Sequence, residues 1–347
     1  METEHLLAAY GTLRPGEVNH RLLADVPGEW LDGWVRGQRG EEDGYPAFWY
    51  DPEGPRQEVK VFHSAELPKL WSHLDWFEGP SWPREALFAL GLGDQVVAVT
   101  HECDFPPEAA QRPIVTRSSL ALAGRDSAAI ESAVALAAAE GRSLYEVDTD
   151  AIRALDPDLV VTQDVCRVCA VPASQVEEEL EGVRIIRQHP HSLEDVLADI
   201  EELAEAAGAD PAPLLEALRE RLARAAAEAR RRPRVRGVFL EWLDPPYRAG
   251  HWTPDLLDLA GIDDPLARPG VPSVAGSWDE VAAARPELLV LAPCGFDRAR
   301  AQQEADRVQA QIERVGAERV VVLDGSAYFN RPGPRLVDSL EVLVASR

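Results

Sequence analysis

Cys166 and Cys169 stand three positions apart in the stretch TQDVCRVCAV (162–171), directly after the apolar run 159–161. Paired thiols at that spacing can clamp a metal, cycle as a redox couple, or pack as two small hydrophobes. The chain has two more cysteines, Cys103 and Cys294. All four follow short aliphatic or β-branched runs, at 96–100, 159–162 and 288–292, where a strand exits into a loop. In open α/β sheets that edge is where ligands bind. Four thiolates, or three with His101, suit zinc or an iron–sulfur cluster. Their spacings match no compact zinc motif, so only tertiary folding could assemble the site. The CxxC also lacks the aromatic-Gly-Pro context of thioredoxin-like couples. Two readings stay open: a shared metal or ligand site, and reduced thiols lining a cleft.

The same edges carry other reactive or ligating side chains. His101 and Glu102 precede Cys103, and Gln163 follows the run 159–162. Glu241, Trp242 and Asp244 follow 237–240, while Tyr328 and Arg331 follow 320–323. His251 and Trp252 open the segment GHWTPDLLDLAG. Aromatic rings there can stack on a flat macrocycle or plug an interface. A neutral imidazole at His101 or His251 can ligate a metal from one side, or hydrogen-bond at a surface. No GxSxG elbow and no GxxxxGK[ST] loop occurs, so serine hydrolysis and P-loop phosphate binding find no support.

Two textures of sequence must position these groups. Residues 1–85 hold six of the nine tryptophans and short segments at 6–10, 30–35, 47–50 and 58–64, which read as strands. Leu67, Leu70, Trp71, Leu74 and Phe77 then recur at helical spacing. From 86 onward, strand-like runs alternate with helical ones such as 128–140 and 149–155. This βα alternation predicts an α/β fold. Its expected form is two doubly wound lobes, 86–191 and 233–347, joined by helices at 192–232. The second of these helices, 213–232, is expected to form a rigid bridge about 30 Å long. Residues 1–85 are expected to make a small β-barrel-like α+β domain.

Within that first domain, YGTLRPG, Asn19, GYPAF (44–48), EVKVF, LDWFEG and Arg84 together resemble the gamma-glutamylcyclotransferase-like family. The resemblance implies a small β-barrel that releases gamma-glutamyl groups as 5-oxoproline. It implies that Tyr10, Gly11, Thr12 and Leu13 bind substrate through backbone amides. Glu78 would shuttle the proton from the substrate amine. The family continues with further barrel strands where this chain runs into SWPREALFALGLGD, so the barrel is incomplete or completed by a neighbour.

From about 85 to the end, VTHECDFPPEA, SLYEVD, DLVVTQDVCRVCAV, EWLDPPY, AGHWTPDLLDLAG, APCGFD and DGSAYFNRPGPRL resemble cobalamin- and iron-siderophore-type substrate-binding proteins. That resemblance implies two α/β lobes bridged by a long helix and a cleft that closes little on its cargo. A corrinoid or metal chelate is the implied ligand, and relatives serve ABC importers. Three functions follow as expectations: a small-molecule receptor, a gamma-glutamyl cyclotransferase acting through residues 1–85, and a thiol-ligated metal or cluster protein.

The bulk composition narrows the setting. The 347 residues are 46% hydrophobic and carry a net charge of −25, which excludes a nucleic-acid surface. The Arg-rich stretch 230–236 reads as a solvated helix end. No run approaches the ~18 apolar residues of a membrane span, and METEHLLAAYGTLRPG offers no cleavage site. Four cysteines in so long a chain argue for reduced thiols. A cytoplasmic protein is therefore expected, and the lack of an export signal speaks against, without deciding, an ABC permease as its partner.

Overall fold

The computed structural model describes residues 6–9, 27–42, 45–50, 54–64, 84–101, 103, 106, 108–119, 125–140, 144–163, 180 and 182–347. The chain divides into two compact units, Met1–Glu78 and Gly79–Arg347.

In the smaller unit, β1 (Leu6–Ala9), β2 (Glu29–Glu42), β3 (Tyr45–Tyr50) and β4 (Arg56–His63) pair antiparallel in the order β1-β4-β2-β3. β2 changes partner along its length: Glu29 to Arg36 pair with β4, and Gly37 onward with β3. The change falls at Gly37, whose φ of 149° glycine adopts without a Cβ penalty. Phe62 is buried against Trp30, with ring centroids 5.0 Å apart. The Arg56 guanidinium lies 3.8 Å over the exposed ring of Trp34, a cation–π contact that shields part of that ring. Among the described residues no pairing joins β1 to β3, so the expected barrel is not shown. The expected helix 67–77, together with Tyr10, Gly11, Thr12, Leu13 and Glu78, lies outside the described residues.

The larger unit begins with α1 (Arg84–Ala89), β5 (Thr116–Ser118), α2 (Ser127–Ala139), β6 (Tyr145–Val147), α3 (Thr149–Leu155), β7 (Leu159–Gln163) and β8 (Arg184–Gln188). β7 and β8 are parallel, from Leu159 opposite Arg184 to Gln163 opposite Gln188. The side chain of Asp148 starts α3 by accepting the Ala151 N–H at 2.9 Å, and Asp156 ends it in the left-handed region. The run 96–100, expected to be a strand, forms only the isolated bridge of Val99 to Ile114. A 3₁₀ turn at Gly93–Gln95 precedes it and a Cys103 N–H to Thr100 carbonyl turn follows, leaving no room for a ladder.

Two helices, α4 (Leu193–Ala206) and α5 (Ala212–Ala229), lead to the second half. Ser192 and Asp195 form a reciprocal capping box on α4. The second half contains β9 (Val235–Leu243), β10 (Pro246–Arg248), α6 (Thr253–Leu259), β11 (Ile262–Asp263), α7 (Trp278–Ala284), β12 (Leu288–Leu291), α8 (Arg298–Arg307), α9 (Gln309–Val315), β13 (Arg319–Val322), α10 (Gly325–Tyr328) and α11 (Leu336–Ser346). Its sheet runs β10-β9-β12-β13, with β11 beside the start of β9. β9, β12 and β13 are parallel, and all four residues of β12 are buried, as a strand covered on both faces must be. Val281 of α7 and Ile312 of α9 pack on one face of this sheet with Val238, Leu240 and Leu289.

The helix expected at 213–232 runs Ala212–Ala229, about 27 Å at 1.5 Å per residue, and packs along α11. It is the shorter α4 that touches both α1 and α6, and so spans the two halves. Among the described residues no helix is long and apolar enough to cross a membrane.

Candidate functional site

The exit of β8 and the loop before α6 meet at a group of three imidazoles. His189 and His191 follow β8 directly, and their rings stand edge-on at 4.4 Å between centroids. His191 in turn faces His251 at 5.8 Å with the ring planes 23° apart. His251 also stacks on Trp252 at 5.5 Å. The Nδ1 atoms of His191 and His251 are shut from solvent and have no hydrogen-bond partner among the described residues.

The backbone holds His251 in an uncommon conformation. Its φ is 48°, a left-handed region that costs a residue with a Cβ free energy and recurs at functional sites. Two hydrogen bonds lock it there: its N–H donates to the Val271 carbonyl at 2.7 Å, and its own carbonyl accepts from Gly270 at 3.2 Å. The preceding Gly250 lies so close to this loop that a Cβ would sit 2.4 Å from the Ser273 nitrogen. Burial, then the neighbouring His191 and His189, lower the His251 pKa to about 4. The ring is therefore neutral near pH 7, the form that can donate a lone pair. Across the junction, the Leu193 N–H donates to Asp255 Oδ2 at 2.9 Å, tying the start of α4 to α6.

The residues singled out from sequence spread over several environments. Glu241 is half-buried with its carboxyl end enclosed. It accepts from the Gly250 N–H at 3.0 Å and from the hydroxyls of Ser273 and Thr253, while burial pushes its pKa up. Trp242, on the same strand, lies 5.1 Å from Phe296, and its indole nitrogen is buried without a partner among the described residues. Asp244 is exposed in the turn from β9 to β10. Trp252 is 5% exposed and donates its indole N–H to the Phe329 carbonyl at 2.9 Å, so its place is in the core. Tyr328 carries the Arg335 guanidinium over its ring at 5.0 Å, and Arg331 donates to the Ser326 hydroxyl at 3.2 Å. His101 is pinned to Thr116, with Nδ1 2.7 Å from the hydroxyl oxygen, and stands 5.7 Å from the Tyr145 ring.

The thiols divide similarly. Cys103 packs against the cluster of Val96, Val99 and Ala109, with Sγ 3.1 Å from the Thr100 hydroxyl. Cys294 is half-buried just past β12, and its N–H donates to the Glu241 carbonyl at 2.8 Å. Glu102, Cys166 and Cys169 lie outside the described residues, as does the side chain of Gln163. Among the described residues no group of three or more His, Cys, Asp or Glu is arranged to hold a metal ion.

Sequence reasoning found His251 but missed His189 and His191. The signal was present: HPH stands at 189–191, directly after the end of β8 at Gln188, on the kind of edge where the other candidates lie.

Beneath this junction, Asp199 of α4 has a pKa pushed up to about 7 by burial and by the charges of Glu202 and Asp195. Its folded value lies above the ordinary 3.8, so the stability it contributes is full at low pH and lost as pH rises through about 7. Asp199→Asn is therefore expected to be more stable than wild type at pH 8 by about 1–2 kcal/mol, after discounting for partial solvent access, and no more stable at pH 4. Urea denaturation at the two pH values checks this, and identical midpoints at pH 8 would refute it.

No protein-family profile matches the sequence, nor does the sequence of any curated protein. Solved structures do match. The periplasmic vitamin B12 binding protein BtuF of Vibrio cholerae superposes with a TM-score of 0.54 at 21% identity, over 76% of this chain and 93% of that one. A periplasmic heme binding protein from Pseudomonas aeruginosa gives 0.55 at 20% identity, over 75% and 87%. Helicobacter pylori CeuE, solved as a Ni-His complex, gives 0.53 at 18% identity, over 76% and 79%. The chain thus has the α/β fold of the periplasmic substrate-binding proteins. None of these likenesses covers a cyclotransferase domain.

Proposed function

We propose that the larger unit is a receptor for a corrinoid or another metal complex, its two halves acting as the lobes of a binding cleft. The observation that carries the reading is the meeting of His191 and His251 from opposite halves, each with a buried ring nitrogen lacking a partner among the described residues. The left-handed backbone of His251 supports it, since strain persists where the surroundings enforce it for a purpose. The neighbours' cargo, vitamin B12 and heme, sets the chemical class. The proposed setting is the cytoplasm, where the four cysteines would stay reduced.

Passing purified protein mixed with hydroxocobalamin, and separately with hemin, over a desalting column tests the reading. Retention of at least one pigment in stoichiometric amount, with shifted absorption bands, is expected. Elution of both free of protein overturns it. The cyclotransferase alternative rests on Tyr10, Gly11, Thr12, Leu13 and Glu78, to which the described sheet adds nothing.

A further inference from the structure

The cluster suggests which metal complexes fit. Two imidazoles on adjacent positions of one metal have Zn–N-type bonds of ~2.0–2.1 Å, which puts their ring centroids roughly 4.5–5.3 Å apart. His191 and His251 stand at 5.8 Å with their planes 23° apart, so both rings must turn from this facing arrangement to aim a nitrogen at one metal. Each has a buried Nδ1 without a partner among the described residues, a cost that a ligand bond removes. His189, although nearer to His191, is exposed, and its ring nitrogens are not buried in this way.

We propose that His191 and His251 form a two-imidazole site for a chelated first-row transition metal with two adjacent open coordination positions. This rests on the reading of the larger unit as a metal-complex receptor. Two imidazoles fill two of the four to six positions such a metal takes, so the chelator must bring the rest. On binding, two metal–water bonds break and two metal–nitrogen bonds form from neutral imidazole lone pairs. The two waters leave, and the metal keeps its oxidation state. Because the two histidines come from opposite halves of the unit, the bound metal would cross-link β8's exit to the loop before α6. A flat corrinoid, whose open positions lie on opposite faces, would take one of the two rings and leave the other without a metal bond.

The probe is nickel(II) nitrilotriacetate, a tetradentate chelate that leaves two adjacent positions open, titrated into untagged full-length protein by calorimetry. Diaquacobinamide serves as the parallel arm. Wild type is expected to bind the nickel chelate, with about 10²-fold weaker binding in either His191→Ala or His251→Ala, since each removes one of two tethered donors. His101→Gln should bind within about 3-fold of wild type, because its ring is held against Thr116 and Tyr145 and takes no part in the pair. Free imidazole should restore binding to His251→Ala, a recovery that a merely structural role would not produce. Cobinamide retained while the nickel chelate is ignored overturns the two-imidazole site and leaves the receptor reading standing. Retention of neither the nickel chelate, cobinamide nor hemin removes both. Loss of nickel binding in His189→Ala but not in His251→Ala shows the pair to be wrongly assigned.

Discussion

Glu304→Ala is expected to destabilise the larger unit by about 2–4 kcal/mol, because two buried donors lose their acceptor and the missing side chain leaves a cavity. Glu304 sits on α8 with 2% of its surface exposed, yet its carboxylate serves a helix 177 positions earlier in the chain. One oxygen accepts the backbone N–H of Ser127 at 2.9 Å and its hydroxyl at 2.7 Å. The other faces Arg300 at 3.1 Å and Arg307 at 3.3 Å. Ser127 is the first residue of α2, so the carboxylate satisfies an N–H that has no partner inside the helix and sits at the positive end of its dipole. Arg307 extends the tie to Asp126 at 3.3 Å, and Arg300 donates to the Arg125 carbonyl. A second tie lies along the same helix, where the Tyr247 hydroxyl donates to Glu131 at 2.9 Å. Removing Glu304 leaves the Ser127 donors facing a void, while Arg307 keeps Asp126 and Arg300 keeps the Arg125 carbonyl. Ser127→Ala takes away one hydroxyl and should cost only about 1 kcal/mol. Guanidinium denaturation of the two variants beside wild type decides the matter. A midpoint for Glu304→Ala equal to that of wild type would mean that this carboxylate does not hold the two halves together.

This tie also shows where reading a sequence stops. The parallel strands of the second half were legible because β9, β12 and β13 each carry a short aliphatic run, buried throughout in β12 and in the middle of β9, and such runs have few alternatives. The bounds of α3 were legible because Asp148 caps it and Asp156 ends it locally. The run 96–100 has the same composition as a strand, but the turns on either side of it forbid pairing, and composition does not record that. For the site, position relative to a strand end was legible and side-chain direction was not. Glu241 and Trp242 were sought beyond the end of a strand, yet β9 continues to Leu243. As neighbours on a strand they point to opposite faces, and the Glu241 carboxyl goes to Gly250 and Ser273. Trp252 starts α6, and its indole goes inward to the Phe329 carbonyl. His251, one residue earlier, stays at the junction because its φ is reversed. No periodicity rule foresees a reversal at a non-glycine residue.

Arg221→Met should cost a similar amount, about 3–5 kcal/mol, but with a pH signature that sets it apart. Arg221 lies on α5 and is 6% exposed, and its guanidinium is shared by two carboxylates of α11. It donates to Asp338, and its Nε and Nη2 reach the two oxygens of Glu341 at 3.3 and 3.1 Å. Methionine matches much of the aliphatic stem, so the loss reports the charge and its hydrogen bonds more than packing. Burial pushes the Asp338 pKa up, while Arg221 and Arg335 pull the other way. Taking Arg221 away removes the larger of those opposing pulls, so the Asp338 pKa rises further. A group whose folded pKa is raised is least costly when protonated, and its penalty grows as pH rises past the unfolded value. The Arg221→Met variant should therefore come closest to wild type near pH 4 and fall furthest below it at pH 8. Replacing Asp338 and Glu341 by leucine in the same chain should recover most of the loss, because an apolar set of similar volume replaces a buried charge network at little net cost. A loss of the same size at both pH values would assign the effect to packing of the α5–α11 pair instead of to its charges.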